Sequence, residues 1–411
     1  MRVLITSAIY PTPEAPKVVG GAEIFVRRLA EHLTEQGDVV EVVRAAPKGA
    51  QERVECNGVS VYSASVFNIY RPFTKQWVAP IRGIWHAVED WQRTSDLVSD
   101  RIRAFKPDVM HSNNLSGLTT AVWAAANKQQ VPIAHTLHDY YLTCPRCSRF
   151  SMGHACKQTC LSCKILTVNR RRAADAVSAV VGVSQRIVDI HVDLGLFLGT
   201  PVRTVIPNAS VIASPLPAAE RVNGVVTLGF IGRLTEEKGI FNLVRAVAEL
   251  PPDRFKLMIA GHASESERKK IRAMAPEARI EFLGFVAPAE FYKQVEIVIV
   301  PSIWEEPDPL VVADAIASGR PLLGTPLGGI PEAIKRGGAG WLTPPDPASL
   351  SLSIRKILAD PEQLQAMNLR SMNNAAKWTF PKAVAAYRDV FKRIASRPGA
   401  STSSVTSSLL T

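Results

Sequence analysis

No stretch of this 411-residue chain reaches the roughly 18–20 uninterrupted apolar residues that a membrane-spanning helix needs. The opening MRVLITSAIYPTP carries a single Arg and a short apolar run that meets prolines by Pro11. It lacks the longer apolar core and small-residue cleavage site of a signal peptide, so a first β-strand and a cytoplasmic protein are expected. No Gly-x-Gly-x-x-Gly follows either candidate first strand, which disfavours a dehydrogenase. No Asp-x-Asp pair is present to hold a divalent cation between phosphates. Acidic residues are the minority: 37 Asp and Glu against 48 Lys and Arg, a net charge of +11. The cations are scattered apart from Arg170, Arg171 and Arg172, and no nucleic-acid motif accompanies them, so nucleic acid is not an expected partner. Solubility alone accounts for such a balance. So does attraction to anions such as a nucleoside diphosphate, a polyprenyl pyrophosphate or the inner membrane face.

Apolar residues make up 46% of the chain and charged residues 21%, a folded composition, and the length suits two domains of middling size. RVLITSAIY reads as a strand, and Gly20-Gly21-Ala22-Glu23 opens the helix AEIFVRRLAEHLTEQ. Phe25, Leu29 and Leu33 recur there at helical spacing, Gly37 stops the helix, and DVVEVVRA is the next strand. The alternation continues through DVMHS, LTTAVWAAANKQQ, VPIAHTLH, RRRAADAVSA and VVGVS. It pauses after VRTVIPNAS and restarts with VVTLGFIG. Such alternation predicts parallel sheets covered by helices on both faces, with a boundary near residue 207.

Two constellations carry chemistry. In GFIGRLTEEKG, Gly232 ends the restarting strand, and Arg233 and Lys238 lie on the loop before a helix. Ligands of open α/β sheets bind at the carboxyl ends of strands, where a helix N-terminus also attracts anions. An Arg fork and a mobile Lys charge suit a diphosphate; surface pairing with Glu236 and Glu237 is the plainer reading. In VPSIWEEPDPLVVADAIASG, seven residues separate Glu306 on the loop from Asp314 inside the helix. Two acids around a helix start can serve the sugar and ribose hydroxyls of one ligand, or simply complement the helix dipole.

GFIGRLTEEKG followed by VPSIWEEPDPLVVADAIASGRPLLGTPLGGIPEAI resembles glycosyltransferase family 4, retaining enzymes of the GT-B fold. GGAE, TLHDYY, VGVSQ and VIPNAS extend the resemblance over the first half, and it runs from the first strand to about Trp378. It implies an α/β architecture of two Rossmann-like parallel-sheet domains facing each other across a cleft. Residues 1–206 would bind the acceptor and 207–377 the nucleotide sugar, a helix at 378–396 would cross back to the first domain, and 397–411 would be a disordered tail. By resemblance, Arg233 and Lys238 neutralise the donor diphosphate and Glu306 contacts the donor sugar. Gly20 and Gly21 let backbone approach the diphosphate, and His138 faces the sugar near the reacting carbon. Gly232, Leu310, Val311 and Asp314 complete the expected donor site. The family's second acid is usually Glu, and Asp314 is shorter by one methylene. The Gly usual shortly after the first acid is replaced by Pro309.

The resulting expectation is transfer of a sugar from a nucleotide-diphosphate donor to a carbohydrate or lipid-linked hydroxyl acceptor in polysaccharide or glycolipid assembly. Two cations would do the work of a catalytic metal. The alternatives are a catalytically inactive GT-B binding protein and a nucleotide-sugar epimerase. His111 is expected to be structural. Five of the six cysteines fall in one stretch. Cys144, Cys147, Cys160 and Cys163 form two Cys-x-x-Cys pairs with structural-zinc spacing, with Cys156 as alternate ligand, His154 as a spare, and free thiols as the competing reading. Phe67 to Trp91 mixes aromatics and cations and suits either a peripheral membrane contact or a core helix.

Overall fold

The computed structural model describes residues 1–13, 20–46, 53–65, 96–217, 219, 221 and 224–396. The Phe67–Trp91 segment and the expected tail at 397–411 lie outside them.

The chain begins β1 (Arg2–Ser7), α1 (Gly21–Glu35), β2 (Val39–Ala46), β3 (Arg53–Cys56), β4 (Val59–Ser65), α2 (Asp96–Phe105), β5 (Val109–Ser112), α3 (Ala121–Lys128) and β6 (Ile133–Leu137). A small hairpin follows, β7 (Phe150–Ser151) and β8 (His154–Ala155). Then come α4 (Leu161–Leu166), α5 (Val168–Ala173), β9 (Ala179–Gly182), α6 (Gln185–Asp193) and β10 (Val202–Val205). These strands, the hairpin apart, form one sheet in the order β10-β9-β6-β5-β1-β2-β4-β3, parallel throughout except for the edge pair β3–β4. Its central strands β5, β6 and β9 are buried along their whole length, as strands covered on both faces are, and this takes even His111, Ser112, His135 and Thr136 inside.

The second half runs β11 (Val226–Ile231), α7 (Ile240–Ala248), β12 (Phe255–Ala260), α8 (Glu265–Met274), β13 (Ile280–Gly284), α9 (Pro288–Gln294) and β14 (Ile297–Val300). It continues with α10 (Leu310–Ala317), β15 (Leu322–Gly324), α11 (Ile330–Gly337), β16 (Gly340–Leu342), α12 (Pro347–Ala359), α13 (Pro361–Asn374) and α14 (Phe380–Ala395). Its six parallel strands are ordered β13-β12-β11-β14-β15-β16. The chain therefore works outward from β11 in one direction and then from β14 in the other, the doubly wound order. Strand order reverses between β1 and β5 in the first sheet and between β11 and β14 in the second. The loops leaving these four strands build the cleft.

The final helix does not stay with the sheet that precedes it. Phe380, Val384, Tyr387, Phe391 and Ile394 of α14 pack into one core with Ile5, Phe25, Leu29 and Ala134 of the first half. Burying each large apolar side chain of this kind is worth roughly 1.5–3 kcal/mol before entropy is counted. The Tyr387 hydroxyl meets Thr136 Oγ1 at 3.2 Å. Where the chain crosses between the halves, the Ser210 amide donates to the Trp378 carbonyl at 2.7 Å, so the outgoing and returning segments are tied together. Among the described residues no helix is long and apolar enough to cross a membrane.

Candidate functional site

The loop after β11 brings the two predicted cations to the cleft by different means. Gly232 (φ 153°) ends the strand, and Arg233 beyond it has a half-exposed side chain whose only ion pair among the described residues is Glu237 at 3.4 Å. Lys238 closes a short 3₁₀ turn, and Gly239 follows in the left-handed region at φ 72°. A Cβ on Gly239 would sit 1.8 Å from the Pro301 carbonyl oxygen. The loop after β11 therefore lies directly against the loop after β14, an approach only glycine permits.

That approach sets Lys238 Nζ 2.5 Å from Glu306 Oε1, a pair separated by 68 positions in sequence. The other carboxylate oxygen accepts from Ser302 Oγ at 3.0 Å and Trp304 Nε1 at 2.8 Å. Three donors thus hold a buried acid in one orientation at the strand ends. The ammonium also lies 5.6 Å from the Trp304 ring centroid, within cation–π range. The acid's backbone is fixed from behind: Gly329 N donates to the Glu306 carbonyl at 2.7 Å, and Gly328 (φ 61°) would place a Cβ 2.0 Å from that same oxygen. Ser302, Trp304 and Gly328 were not singled out from sequence. Their signal was the motif stretch itself, which names the loop without saying which side chains turn inward.

Leu310 and Val311 open α10 as expected, Leu310 facing the first half of the chain and the Val311 carbonyl accepting from Tyr292 OH at 3.3 Å. Asp314 is buried one turn into α10. Its Oδ1 accepts from Ser210 Oγ at 2.7 Å and from Val211 N at 3.0 Å, which ties α10 to the inter-domain linker. Asn208 of the same linker holds Asp308, with N to Oδ2 at 2.8 Å and Nδ2 to the carbonyl at 2.7 Å. The VIPNAS motif thus pins the linker to the start of α10.

Burial pushes the Asp308 carboxyl up to about 7 even with Arg336 at 3.7 Å. An unfolded chain ionises this group near 3.8, so the unfolded state loses its proton first as pH rises. The native fold accordingly loses stability from about pH 4 to about pH 7 through this residue, and no more above that. Asp308→Asn, which keeps an acceptor for Asn208, should gain stability relative to the native chain across that window and hold a constant difference above it. Chemical denaturation at a series of pH values checks this; a difference independent of pH would clear Asp308.

The opposite wall of the cleft is built by the first sheet. Gly20 leads into α1, and its N–H donates to Glu23 Oε2 at 2.8 Å. A Cβ on Gly21 would lie 2.8 Å from Leu310 Cδ1, so this glycine lets the two halves touch. His138, just past β6, bonds Asn113 Oδ1 through Nε2 at 3.1 Å rather than Asp139. With Asn113 offering its oxygen, Nε2 carries the proton. Burial lowers the ring's pKa to about 4, so His138 is neutral at ordinary pH. Asp139 instead accepts from Tyr141 N at 2.8 Å and is pushed up to about 7 by burial. His111 is fully buried, bonds Thr136 Oγ1 at 2.8 Å and packs on Tyr387 and Phe391 of α14, a structural place.

Further contacts hold the halves against each other. Arg186 makes a two-pronged pair with Glu305, at 3.1 Å from Nε and 2.8 Å from Nη2. Glu332 accepts from the Gln185 and Arg186 amides at the start of α6, at 2.7 and 2.8 Å. Ser184 Oγ donates to the Pro307 carbonyl at 2.5 Å. None of these was anticipated from sequence.

The cysteine loop also reaches the cleft: a Cβ on Gly153, at the tip of the β7–β8 hairpin, would be 3.2 Å from Glu236 Oε1. The zinc set expected from Cys144, Cys147, Cys160 and Cys163 is not assembled. All five cysteines of the loop are free thiols, Cys144 buried, Cys147, Cys156 and Cys163 partly buried and Cys160 exposed. Cys144 lies in the apolar core of the first half and both Cys147 and Cys163 pack against it; burial pushes the Cys147 thiol well above the usual thiol range. The alternate Cys156 is also raised by burial, and His154 Nδ1 meets the Met152 carbonyl at 2.9 Å. Among the described residues no three His, Cys, Asp or Glu side chains are grouped to hold a metal ion.

Two doubly wound sheets facing across a cleft, with cations and an acid on the loops at their strand ends, define a GT-B architecture. The profile of the glycosyl transferases group 1 matches residues 218–376, and that of the glycosyl transferase 4-like domain matches residues 20–209. An uncharacterized 42.6 kDa protein in the cps region of Klebsiella pneumoniae is 31% identical, covering 81% of this chain and 87% of its own. Among solved structures, the sucrose-phosphate synthase of Thermosynechococcus elongatus superposes with a TM-score of 0.72 at 18% identity, covering 95% of this chain and 98% of its own. Anabaena HepE in complex with UDP superposes with a TM-score of 0.69 at 18% identity, covering 96% of this chain and 100% of its own. The chain belongs to the group 1 glycosyltransferases of the family 4 type, and it is a glycosyltransferase by class.

Proposed function

We propose that this glycosyltransferase moves a sugar, with retention of anomeric configuration, from a nucleotide-diphosphate sugar to a hydroxyl acceptor in polysaccharide or glycolipid assembly. The observation that carries the reading is the Lys238–Glu306 pair at the strand ends, with half-exposed Arg233 beside it. Residues 207–377 hold the donor, 1–206 the acceptor, and 378–396 join the two. Lys238 and Arg233 take the diphosphate, and their fixed positive charge meets the negative charge that develops as the glycosidic bond to phosphate lengthens. No catalytic metal is needed for that step. Glu306, oriented by Ser302 and Trp304, receives donor-sugar hydroxyls; neutral His138 on the facing wall lies against the sugar without adding charge. Same-face attack by the acceptor hydroxyl requires no protein nucleophile, and the departing diphosphate takes up the hydroxyl proton. The HepE protein was solved with UDP, which makes uridine the first base to try.

Thermal unfolding with a panel of UDP-, GDP- and ADP-sugars tests the donor. A ligand at about a hundred times its dissociation constant adds ~2.7 kcal/mol, an easily read shift. One nucleotide series should raise the melting temperature, and Arg233→Ala with Glu306→Ala should abolish the rise. The anomeric configuration of the product, read by NMR, then decides retention. No shift with any series would favour a sugar-binding protein without turnover.

A further inference from the structure

The paired helices α4 and α5, separated only by Thr167, face the wrong way for a protein surrounded by water alone. Their inward side carries Thr167 and Arg170, both fully buried. Arg170 is accommodated by the Tyr141 carbonyl at 3.1 Å and the Tyr141 ring at 3.9 Å. Their outward side carries Leu161, Ile165 and Val168, at 72%, 62% and 39% exposure, and Met152 on the adjoining hairpin is 92% exposed. Leu161 and Ile165 stand one turn apart on α4, and Val168 follows at the start of α5, just past Thr167. Single exposed apolar residues need no explanation, but a continuous apolar stripe marks an interaction surface.

Charge specifies the occupant. Between Asp139 and Asp175 the chain has seven Lys and Arg residues and no acid. Lys164 and Arg172 flank the stripe, Lys157 precedes it, all three are exposed, and none makes an ion pair among the described residues. An apolar stripe between unpaired cations, with no carboxylate in 35 consecutive residues from Tyr140 to Ala174, matches the surface of an anionic bilayer: acyl chains for the stripe, headgroup phosphates for its rim. A protein partner of ordinary composition would call for acids here as well.

We propose that the α4–α5 face docks this protein on an anionic phospholipid surface. The face adjoins the hairpin whose tip lies at Glu236 beside the donor loop, so docking places the mouth of the cleft at the membrane, where a lipid-linked acceptor presents its hydroxyl. That last consequence rests on the transferase reading; the docking itself does not.

The test uses the full chain with vesicles of phosphatidylcholine alone and of phosphatidylcholine mixed with phosphatidylglycerol. Cosedimentation is expected with the anionic vesicles and not with the neutral ones, weakening as salt rises. Leu161→Glu with Ile165→Glu, and separately Lys164→Glu with Arg172→Glu, should each reduce binding roughly tenfold or more while leaving the melting temperature and the nucleotide-sugar shift in place. In the otherwise native chain, Ile165→Trp should show a blue-shifted emission on anionic vesicles, a readout that does not depend on the charged variants folding. Failure of the native chain to bind anionic vesicles, equal binding to neutral ones, or undiminished binding by both double variants would overturn the proposal. Self-association through this face without vesicle binding would make it a contact between copies instead. Loss of the nucleotide-sugar shift with vesicle binding retained would strike the transferase reading alone.

Discussion

Lys238→Ala is expected to lower kcat by roughly 10²–10³, with a smaller change in donor KM. The ammonium lies where the β11 and β14 loops converge, 2.5 Å from Glu306, and its charge counts most when the diphosphate leaves. The variant should fold, because Glu306 keeps its bonds from Ser302 and Trp304. Arg233→Ala should cost less, since its guanidinium is half exposed and only loosely paired at 3.4 Å. Pairing Lys238→Ala with Glu306→Ala should cost much less than the two single effects multiplied, as groups in direct contact rarely act independently. Turnover of Lys238→Ala within tenfold of native would remove the lysine from the chemistry.

Gly239→Ala is expected to be the most damaging single methyl in the donor half. The residue sits at φ 72°, and the added carbon would lie 1.8 Å from the Pro301 oxygen. Backbone strain and a forced shift of the β14 loop together cost about 3 kcal/mol or more, and the shift would carry Glu306 away from Lys238. A lower melting temperature and loss of the nucleotide-sugar shift should therefore appear together. Gly37→Ala separates the two causes: its φ is 86° but nothing lies within 4 Å of the added carbon, so only the conformational cost remains. Similar losses in the two variants would show that the clash at Pro301 is relieved cheaply.

The paired sheets were legible because parallel strands buried on both faces leave non-alternating, mostly apolar runs such as VVGV and IVIVP, punctuated by helices of clear period. The edge hairpin β3–β4 was not read, although Asn57-Gly58 between VEC and VSVY is the dipeptide that a tight two-residue turn favours. Both turn residues do adopt positive φ, 51° and 77°. Arg233, Lys238, Glu306 and His138 could be named as candidates because each lies in a local motif. Their partners could not. Asn113 meets His138 from 25 positions away, and Arg186 meets Glu305 from 119; no periodicity links residues that only the fold brings together. Cysteine spacing misled for the same reason. It reports distance along the chain, whereas the packing of the loop decides which thiols meet, and among the described residues it groups no three ligands.

The return of α14 to the first sheet has a consequence for biosynthesis. One face of that sheet, with Ile5 and Ala134, is covered jointly by Phe25 and Leu29 of α1 and by side chains from Phe380 onward. At ~5–20 residues per second, the ribosome takes on the order of ten seconds or more to pass from the last strand of the first sheet to that helix. For all of that interval the nascent first half stands with that face only partly covered, by α1 alone, until the final helix emerges to close it.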